Sequence, residues 1–277
     1  MARIGGRQRA FVEFGGEENS ELYVRALARG LSILTLFDVE HPVWSLRDIT
    51  RHTGLSKTTA YRMLRTLEWK GFVALNPETE LYSIGSAAIP VAYLTLSYIG
   101  FSRLAQPILE KLAAATGETA ELAVEGKGGV VVVGHVTTSN PFKPNLPIGR
   151  VLRNLSNSGV KVLAAYWPKE DRERMLRESH AALTPHTITD PALLRAELAK
   201  AAETGVAFDR EEQDLGVCAV SAPVFGADHK MKAVVTVVAP AERFGPENSK
   251  RNAEAVKAAA AELAGCLSQP LSPLGTL

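Results

Sequence analysis

Residues 45–84 read S-L-R-D-I-T-R-H-T-G-L-S-K-T-T-A-Y-R-M-L-R-T-L-E-W-K-G-F-V-A-L-N-P-E-T-E-L-Y-S-I. Ser45 is placed to cap a first helix, with Asp48 at the capping-box position three residues on. Leu46 and Ile49 give that helix an apolar face, and Gly54 ends it. Ser56 caps a second helix running to about Lys70, in which Ala60, Met63, Leu64 and Leu67 recur at helical spacing and face inward. Lys57, Thr58, Thr59, Tyr61, Arg62 and Arg65 are left pointing outward. Gly71 stops the helix, and residues 72–75 and 81–84 alternate as strands around the turn-forming Asn76-Pro77-Glu78-Thr79-Glu80. This is the pattern of a winged helix-turn-helix, whose second helix enters the major groove of DNA.

Charge agrees with that assignment. Between Ser45 and Gly71 the cations are Arg47, Arg51, Lys57, Arg62, Arg65 and Lys70, and the anions are Asp48 and Glu68, a local net charge of +4 in a chain whose total is +1. Arg47, Ser56, Lys57, Thr58, Thr59, Tyr61, Arg62 and Arg65 are the candidate DNA-contacting residues. The near-neutral total excludes a protein that coats nucleic acid through bulk charge.

The 277 residues suggest about two domains, and a hydrophobic fraction of 46% is ample for real cores. Cys218 and Cys266 form neither a CxxC pair nor a disulfide framework, which fits a reducing cytosol. The N-terminal M-A-R-I-G-G-R-Q-R-A has charge but no apolar core, so it does not read as a signal peptide. The longest mainly apolar run, Ala87 to Phe101, is interrupted by Pro90, Ser97 and Gly100 and falls short of the roughly 20 residues a bilayer demands. No membrane association is expected, and the expected location is cytoplasmic.

Working outward, residues 1–20 read as a flexible arm. Leu22 to Asp38 reads as an amphipathic helix with Leu27, Leu31, Leu34 and Phe37 as its buried stripe. The apolar helix Ser86 to Ile99 reads as a linker that a partner subunit would help to cover. Helices are expected over Phe101–Thr116, Ser158–Tyr166, Pro191–Thr204 and Asn248–Leu267. Strands are expected over Glu121–Glu125, Val130–Val136, Val206–Phe208, Val217–Val224 and Lys232–Val238. Hairpin connections dominate, so the sheet should be antiparallel with helices packed on it. The domain reading is a winged helix-turn-helix over 21–85, a linker helix over 86–100, an effector-binding domain over 101–267 and a tail over 268–277.

No catalytic signature is present. The six histidines show no HExxH or Cys/His metal spacing, and there is no Walker loop, GxGxxG or GxSxG. Gly126-Lys-Gly-Gly is a hairpin connection rather than a phosphate loop. No cofactor, metal or catalytic residue is therefore expected. One segment is specific: G-V-A-F-D-R-E-E-Q-D-L-G-V-C-A-V-S-A-P-V from Gly205, followed later by A-V-V-T-V-V-A-P from Ala233. Small residues on facing strands leave room for a ligand, with Ser221, Thr236 and Asp209 as polar groups; the same small residues also permit close packing of a helix on the sheet.

Over residues 22–266 the chain resembles the IclR family of transcriptional regulators, through T-G-L-S-K-T-T-A-Y-R-M-L-R-T-L-E-W-K-G-F with Leu81-Tyr-Ser-Ile-Gly, and through the two C-terminal segments just quoted. The resemblance implies an α/β (α+β) chain: an N-terminal winged helix-turn-helix, a linker helix, and a C-terminal GAF/profilin-like effector domain with an antiparallel sheet. It implies a double-stranded DNA operator, a small-molecule effector, and a homodimer or homotetramer. Carried over by position, the effector pocket falls on Ser158, Gly159, Asp209, Ala219, Thr236 and Val238, with Ser158-Gly159 offering backbone amides at a helix start. The chain departs from the family's pattern at Arg153 (usually Pro), Leu155 (usually His), Ala219 (Cys in some members, with Cys218 one place before) and Val238 (often Ser). Those changes make the pocket less polar and point to an aromatic or partly apolar carboxylate. Two other classes remain open: a ligand-independent DNA-binding protein with a C-terminal oligomerisation domain, and an enzyme with a regulatory winged helix.

Overall fold

The computed structural model describes residues 23–98, 101–126, 128–140, 147–178 and 180–267. The arm at 1–20, the tail at 268–277, Lys127 of the expected hairpin connection and the end of the linker at 99–100 lie outside the described residues. The chain forms two compact units, residues 1–91 and 92–277.

The first unit contains α1 (Arg25–Leu34), β1 (Val43–Ser45), α2 (Leu46–Thr53), α3 (Lys57–Trp69), β2 (Val73–Asn76) and β3 (Leu81–Ile84). Its helix ends are made by side chains. Ser45 Oγ accepts from the Asp48 amide at 3.1 Å and donates to Asp48 Oδ2 at 2.6 Å, and Ser56 Oγ accepts from the Thr59 amide at 3.2 Å. Gly54 takes the left-handed conformation, φ 68°, that lets α2 stop and the chain turn into α3. Asn76 Oδ1 accepts from the amides of Glu78 and Thr79 and so shapes the wing. The sheet order is β1-β3-β2, all antiparallel. β1 had no signal in the sequence: three residues directly before a cap are too few to show alternation.

The core of this unit is Ile33, Leu36, Trp44, Ile49, Ala60, Leu64, Val73 and Tyr82, with Trp44 Nε1 donating to Leu36 O at 3.1 Å. The expected stripe on the first helix is corrected here. Leu27 and Leu31 are 61% and 50% exposed, while Ile33 and Leu36 are buried and Leu34 and Phe37 pack beside them. The helix ends at Leu34, so residues 36–37 enter the core from the turn after it and not along the helix face.

The remaining elements are α4 (Ala88–Tyr98), α5 (Phe101–Thr116), β4 (Thr119–Gly126), β5 (Gly129–Val136), β6 (Val151–Leu152), α6 (Ser158–Ala165), α7 (Lys169–Arg177), α8 (Pro191–Thr204), β7 (Ala207–Arg210), β8 (Val217–Phe225), β9 (Met231–Pro240) and α9 (Pro246–Leu267). Six strands form one sheet in the order β6-β5-β4-β9-β8-β7, every neighbouring pair antiparallel. β9 is central and buried over residues 233–240. Its odd-numbered side chains, Ala233, Val235, Val237 and Ala239, join the core formed with α5 and α9. Val234 faces the opposite side, in the core formed with α6, α7 and α8. Both faces are therefore covered by helices. α7 was not expected from the sequence; only Met175 and Leu176 of its nine residues are buried, too few for a visible apolar stripe. No helix among the described residues is long and apolar enough to cross a membrane.

The corrected stripe has a measurable consequence. Ile33→Ala removes a fully buried side chain and should destabilise the first unit by about 2–5 kcal/mol. Urea unfolding followed by the fluorescence of buried Trp44 reads this; a loss below about 1 kcal/mol would show that Ile33 is not part of the core.

Candidate functional site

On α3 at about 100° per residue, Lys57, Thr58, Tyr61, Arg62 and Arg65 occupy one arc about 140° wide, and Ala60, Met63, Leu64 and Leu67 occupy the opposite side. Lys57, Thr58, Tyr61 and Arg62 are exposed, as is Arg47 on α2. Among the described residues neither Lys57 nor Arg62 is in an ion pair. Two of the sequence-named residues are engaged in building the helix start: Ser56 is the cap, and its hydroxyl lies 2.9 Å from that of Thr59. Arg65 is half-buried, donates to Glu68 Oε2 at 2.7 Å and stacks 5.6 Å over Trp69. A partly exposed pair of this kind adds little to stability.

In the second unit, sheet register sets the chemistry. Directly opposed residues of antiparallel strands point to the same side. One row across the α6 face runs His135, Glu121, Thr236, Ser221, Ala207; the next runs Thr119, Val238, Ala219, Asp209. The register thus brings Asp209, Ala219, Thr236 and Val238 onto one face, and Ser158 reaches it from α6. Ser158 Oγ lies 2.7 Å from Ser221 Oγ, which lies 2.8 Å from Thr236 Oγ1, all three buried. Three hydroxyls carry three protons and these two bonds use two, so one proton of the chain is left to donate elsewhere. Val238 and Ala219 form a small apolar patch with Val217, and Leu155 packs into the core beneath α6. Cys218 faces the other side of the sheet, where burial raises its thiol to about 11 and keeps it inert.

The start of α6 differs from expectation. Asn157 caps the helix, its Oδ1 accepting from the amides of Gly159 at 2.9 Å and Val160 at 3.2 Å, so those amides are not open to an anion. A Cβ on Gly159 would press on the capping Asn157 Oδ1 at 3.1 Å, while Val130 at 3.6 Å and Val234 at 3.7 Å would be ordinary contacts.

Four groups escaped the sequence reading. Lys161 of α6 is completely buried and donates to Phe208 O at 2.8 Å and to Glu212 Oε1 at 2.5 Å. Glu212 belongs to the acidic turn after β7, which Thr184 and Thr187 also hold by donating to the carbonyls of Glu211 and Glu212. Glu121 and His135 complete the first row. No motif marks these residues; their positions follow from strand register and from a helix crossing. Alternation did offer one signal, since Glu121 is a charged residue in phase with the inward side of β4.

Asp209 Oδ1 accepts from the amides of Glu212 at 2.8 Å and Gln213 at 3.3 Å. Burial nevertheless raises its carboxyl to about 7, outweighing those amides, with the Glu212 charge pushing the same way and Lys161 opposing. Burial likewise raises Glu121 to about 7, against Arg150. Because the folded protein holds these protons more tightly than the unfolded chain, their contribution to stability falls as pH rises from about 4 through about 7. Asp209→Asn keeps an acceptor for both amides and abolishes the titration. Between about pH 4 and pH 8 the variant should gain on the wild type by on the order of a few kcal/mol in urea unfolding; a difference independent of pH would show that Asp209 is ionised throughout.

Residues 92–264 match the family described as bacterial transcriptional regulator IclR C-terminal, and residues 26–77 match the IclR helix-turn-helix domain. The chain is 31% identical over 263 residues to the HTH-type transcriptional regulator BhcR of Paracoccus denitrificans, covering 94% of this chain and 93% of that protein. Among solved structures, the IclR transcriptional regulator from Alicyclobacillus acidocaldarius is 27% identical with a TM-score of 0.77, covering 89% of this chain and 100% of that one. An IclR homolog from Microbacterium hydrocarbonoxydans, solved in complex with 4-hydroxybenzoate, shares the fold at 21% identity and a TM-score of 0.71, covering 87% and 98%. With both family matches in order along the chain, and with a capped recognition helix and a two-faced antiparallel sheet built as described, this protein belongs to the IclR family of DNA-binding transcriptional regulators.

Proposed function

We propose that this regulator's affinity for its operator is set by a small metabolite bound on the α6 face of the sheet, against Ser158, Gly159, Asp209, Ala219, Thr236 and Val238. The observation that carries this reading is the buried hydroxyl chain Ser158–Ser221–Thr236, which ends beside an apolar patch and has a proton left over. The ligand class is an aromatic or partly apolar carboxylate: Val238 and Ala219 supply apolar contact, and the 4-hydroxybenzoate held by the Microbacterium homolog is a ligand of that kind. With the Gly159 and Val160 amides occupied by Asn157, the ligand's anionic end relies on hydroxyl donors, and Asp209 accepts from a ligand hydroxyl or holds backbone donors in place. The protein is read as a cytoplasmic binder and not an enzyme, in keeping with relatives named as transcriptional regulators.

DNA contact is assigned to Arg47, Ser56, Lys57, Thr58, Thr59, Tyr61, Arg62 and Arg65. Assembly is assigned as a homodimer or homotetramer on a pseudo-palindrome, half-site centres being about 10 base pairs apart or a multiple of that. Ligand binding acts by favouring one placement of the paired DNA-binding units, which demands different affinities for the two placements. A ligand-independent DNA-binding protein would show no melting shift with any metabolite, and an enzyme would turn its ligand over.

Two measurements test this reading. Arg62→Ala should weaken binding to a selected operator by about 1–3 kcal/mol in fluorescence anisotropy, and Arg65→Ala by less, since Arg65 has Glu68 as an alternative partner. Unchanged affinity in both variants removes α3 from the interface. For the pocket, a thermal-shift screen of metabolites identifies a ligand, and calorimetry compares Thr236→Val with the wild type. The variant should bind at least about tenfold more weakly while its ligand-free operator affinity stays within about twofold; equal ligand affinity puts the ligand elsewhere.

A further inference from the structure

Glu121 lies at the middle of the polar row, opposite Thr236 on one side and His135 on the other. It is 4% exposed, and its Oε2 has no hydrogen-bond partner among the described residues. Two neighbours are in the same condition. Thr119 is 2% exposed with an unpartnered Oγ1, and the Nδ1 of His135 is buried and unpartnered. Buried polar atoms are ordinarily paired, because leaving one unmet costs about 1–3 kcal/mol. Three orphans side by side, on the face that also carries Thr236 and Asp209, indicate an acceptor-rich spot built to be completed by something else.

We propose that Glu121, with Thr119 and His135 beside it, forms a second polar subsite of the effector pocket that receives a hydroxyl or amino donor of the ligand. This inference rests on the effector reading above. The register places the subsite at one end of the pocket floor: β4, which carries Thr119 and Glu121, is three strands from β7, which carries Asp209, a backbone separation of about 14 Å that the side chains shorten. Between the two ends lie Val238 and Ala219. A ligand lying across that apolar strip meets a polar group at both ends, so the pocket selects a molecule with polar substituents at opposite ends of an apolar body. The remaining charged groups leave the subsite acidic. Lys161, on α6, is committed to Glu212, and Arg150, which draws the Glu121 carboxyl downward, lies 3.6 Å from Asp214. With the Glu121 carboxyl already there, the subsite takes a donor from the ligand and not a second carboxylate.

The experiment uses the full-length protein and two probes that differ by one donor, 4-hydroxybenzoate and benzoate. Calorimetry is run on wild type and Glu121→Leu, and ligand-free melting at about pH 8 on these and on Glu121→Gln, which preserves shape. The wild type should bind 4-hydroxybenzoate at least about tenfold more tightly than benzoate, and Glu121→Leu should bind the two within about twofold, with benzoate affinity unchanged. Both variants should melt about 3–6 °C above the wild type, because an unmet carboxyl has been removed. Undiminished discrimination in Glu121→Leu overturns the subsite. So does a melting temperature below wild type in both variants, which would make Glu121 a structural residue. If neither probe binds while both variants melt higher, the aromatic-carboxylate class of the proposed function fails and the subsite stands.

Discussion

Strand β9 is sealed by helices on both faces, and that double burial is the constraint on which the larger unit depends. An antiparallel strand normally has one wet side, and the polar residues in its alternation face water. Here the inward alternation on the α5–α9 side is Ala233, Val235, Val237 and Ala239, and on the α6 side it is Val234, Thr236 and Val238. A polar atom on the second side is therefore costly unless it finds a partner. Thr236 does so through Ser221 and Ser158, which binds the first residue of α6 to the sheet. The same enclosure raises the Asp209 and Glu121 carboxyls to about 7, since burial penalises the charged form of each. Site chemistry and fold stability are in this sense one problem: a dry floor that carries polar groups.

The recognition helix is governed by a different balance. Its arc of Lys57, Thr58, Tyr61, Arg62 and Arg65 is flanked by local bonds, Ser56 at the start and the Arg65–Glu68–Trp69 cluster toward the end. None of these needs a distant partner. That is why this half of the protein was legible in the sequence almost residue by residue: caps, left-handed glycines and helical periodicity act within four residues of one another. Where the reading failed, it had put the buried stripe on the wrong side of α1, leaving Leu27 and Leu31 exposed where Ile33 of the same helix is buried, and it had carried the helical period past Leu34, so that Leu36, which buries from the turn after the helix, was overlooked.

Much less of the sheet face could be read in advance. The strands themselves were visible as apolar runs, and the small residues on them pointed to Asp209 and Thr236 as polar groups, which the resemblance also named. What the sequence could not convey was which residues share a row, because register depends on hairpin lengths and on the bulge between Leu122 and Ala123. That bulge brings His135 into phase with Glu121. Without it, His135 would fall on the opposite face and Glu121 would stand against a glycine. Asn157 escaped for a related reason: residues 157–158 read equally well as a helix start with open amides or as a capped one, and only the Asn157 rotamer distinguishes them.

The buried Lys161–Glu212 pair links these considerations. Withdrawing two charges from water is expensive, and such a pair adds little net stability compared with apolar residues of the same size. Its effect is positional. Lys161 has two acceptors, Phe208 O on β7 and Glu212 in the turn, so α6, the edge strand and the acidic turn are fixed to one point. Glu212 in turn donates its amide to Asp209. Movement of α6 against the sheet would strain the lysine's bonds and the hydroxyl chain from Ser158 together, since both anchors sit on the same eight-residue helix. The polar groups of the floor are thus held in register by a charge pair that satisfies the turn and leaves Asp209 with backbone amides as its hydrogen-bond donors, and burial raises its carboxyl to about 7 in spite of them.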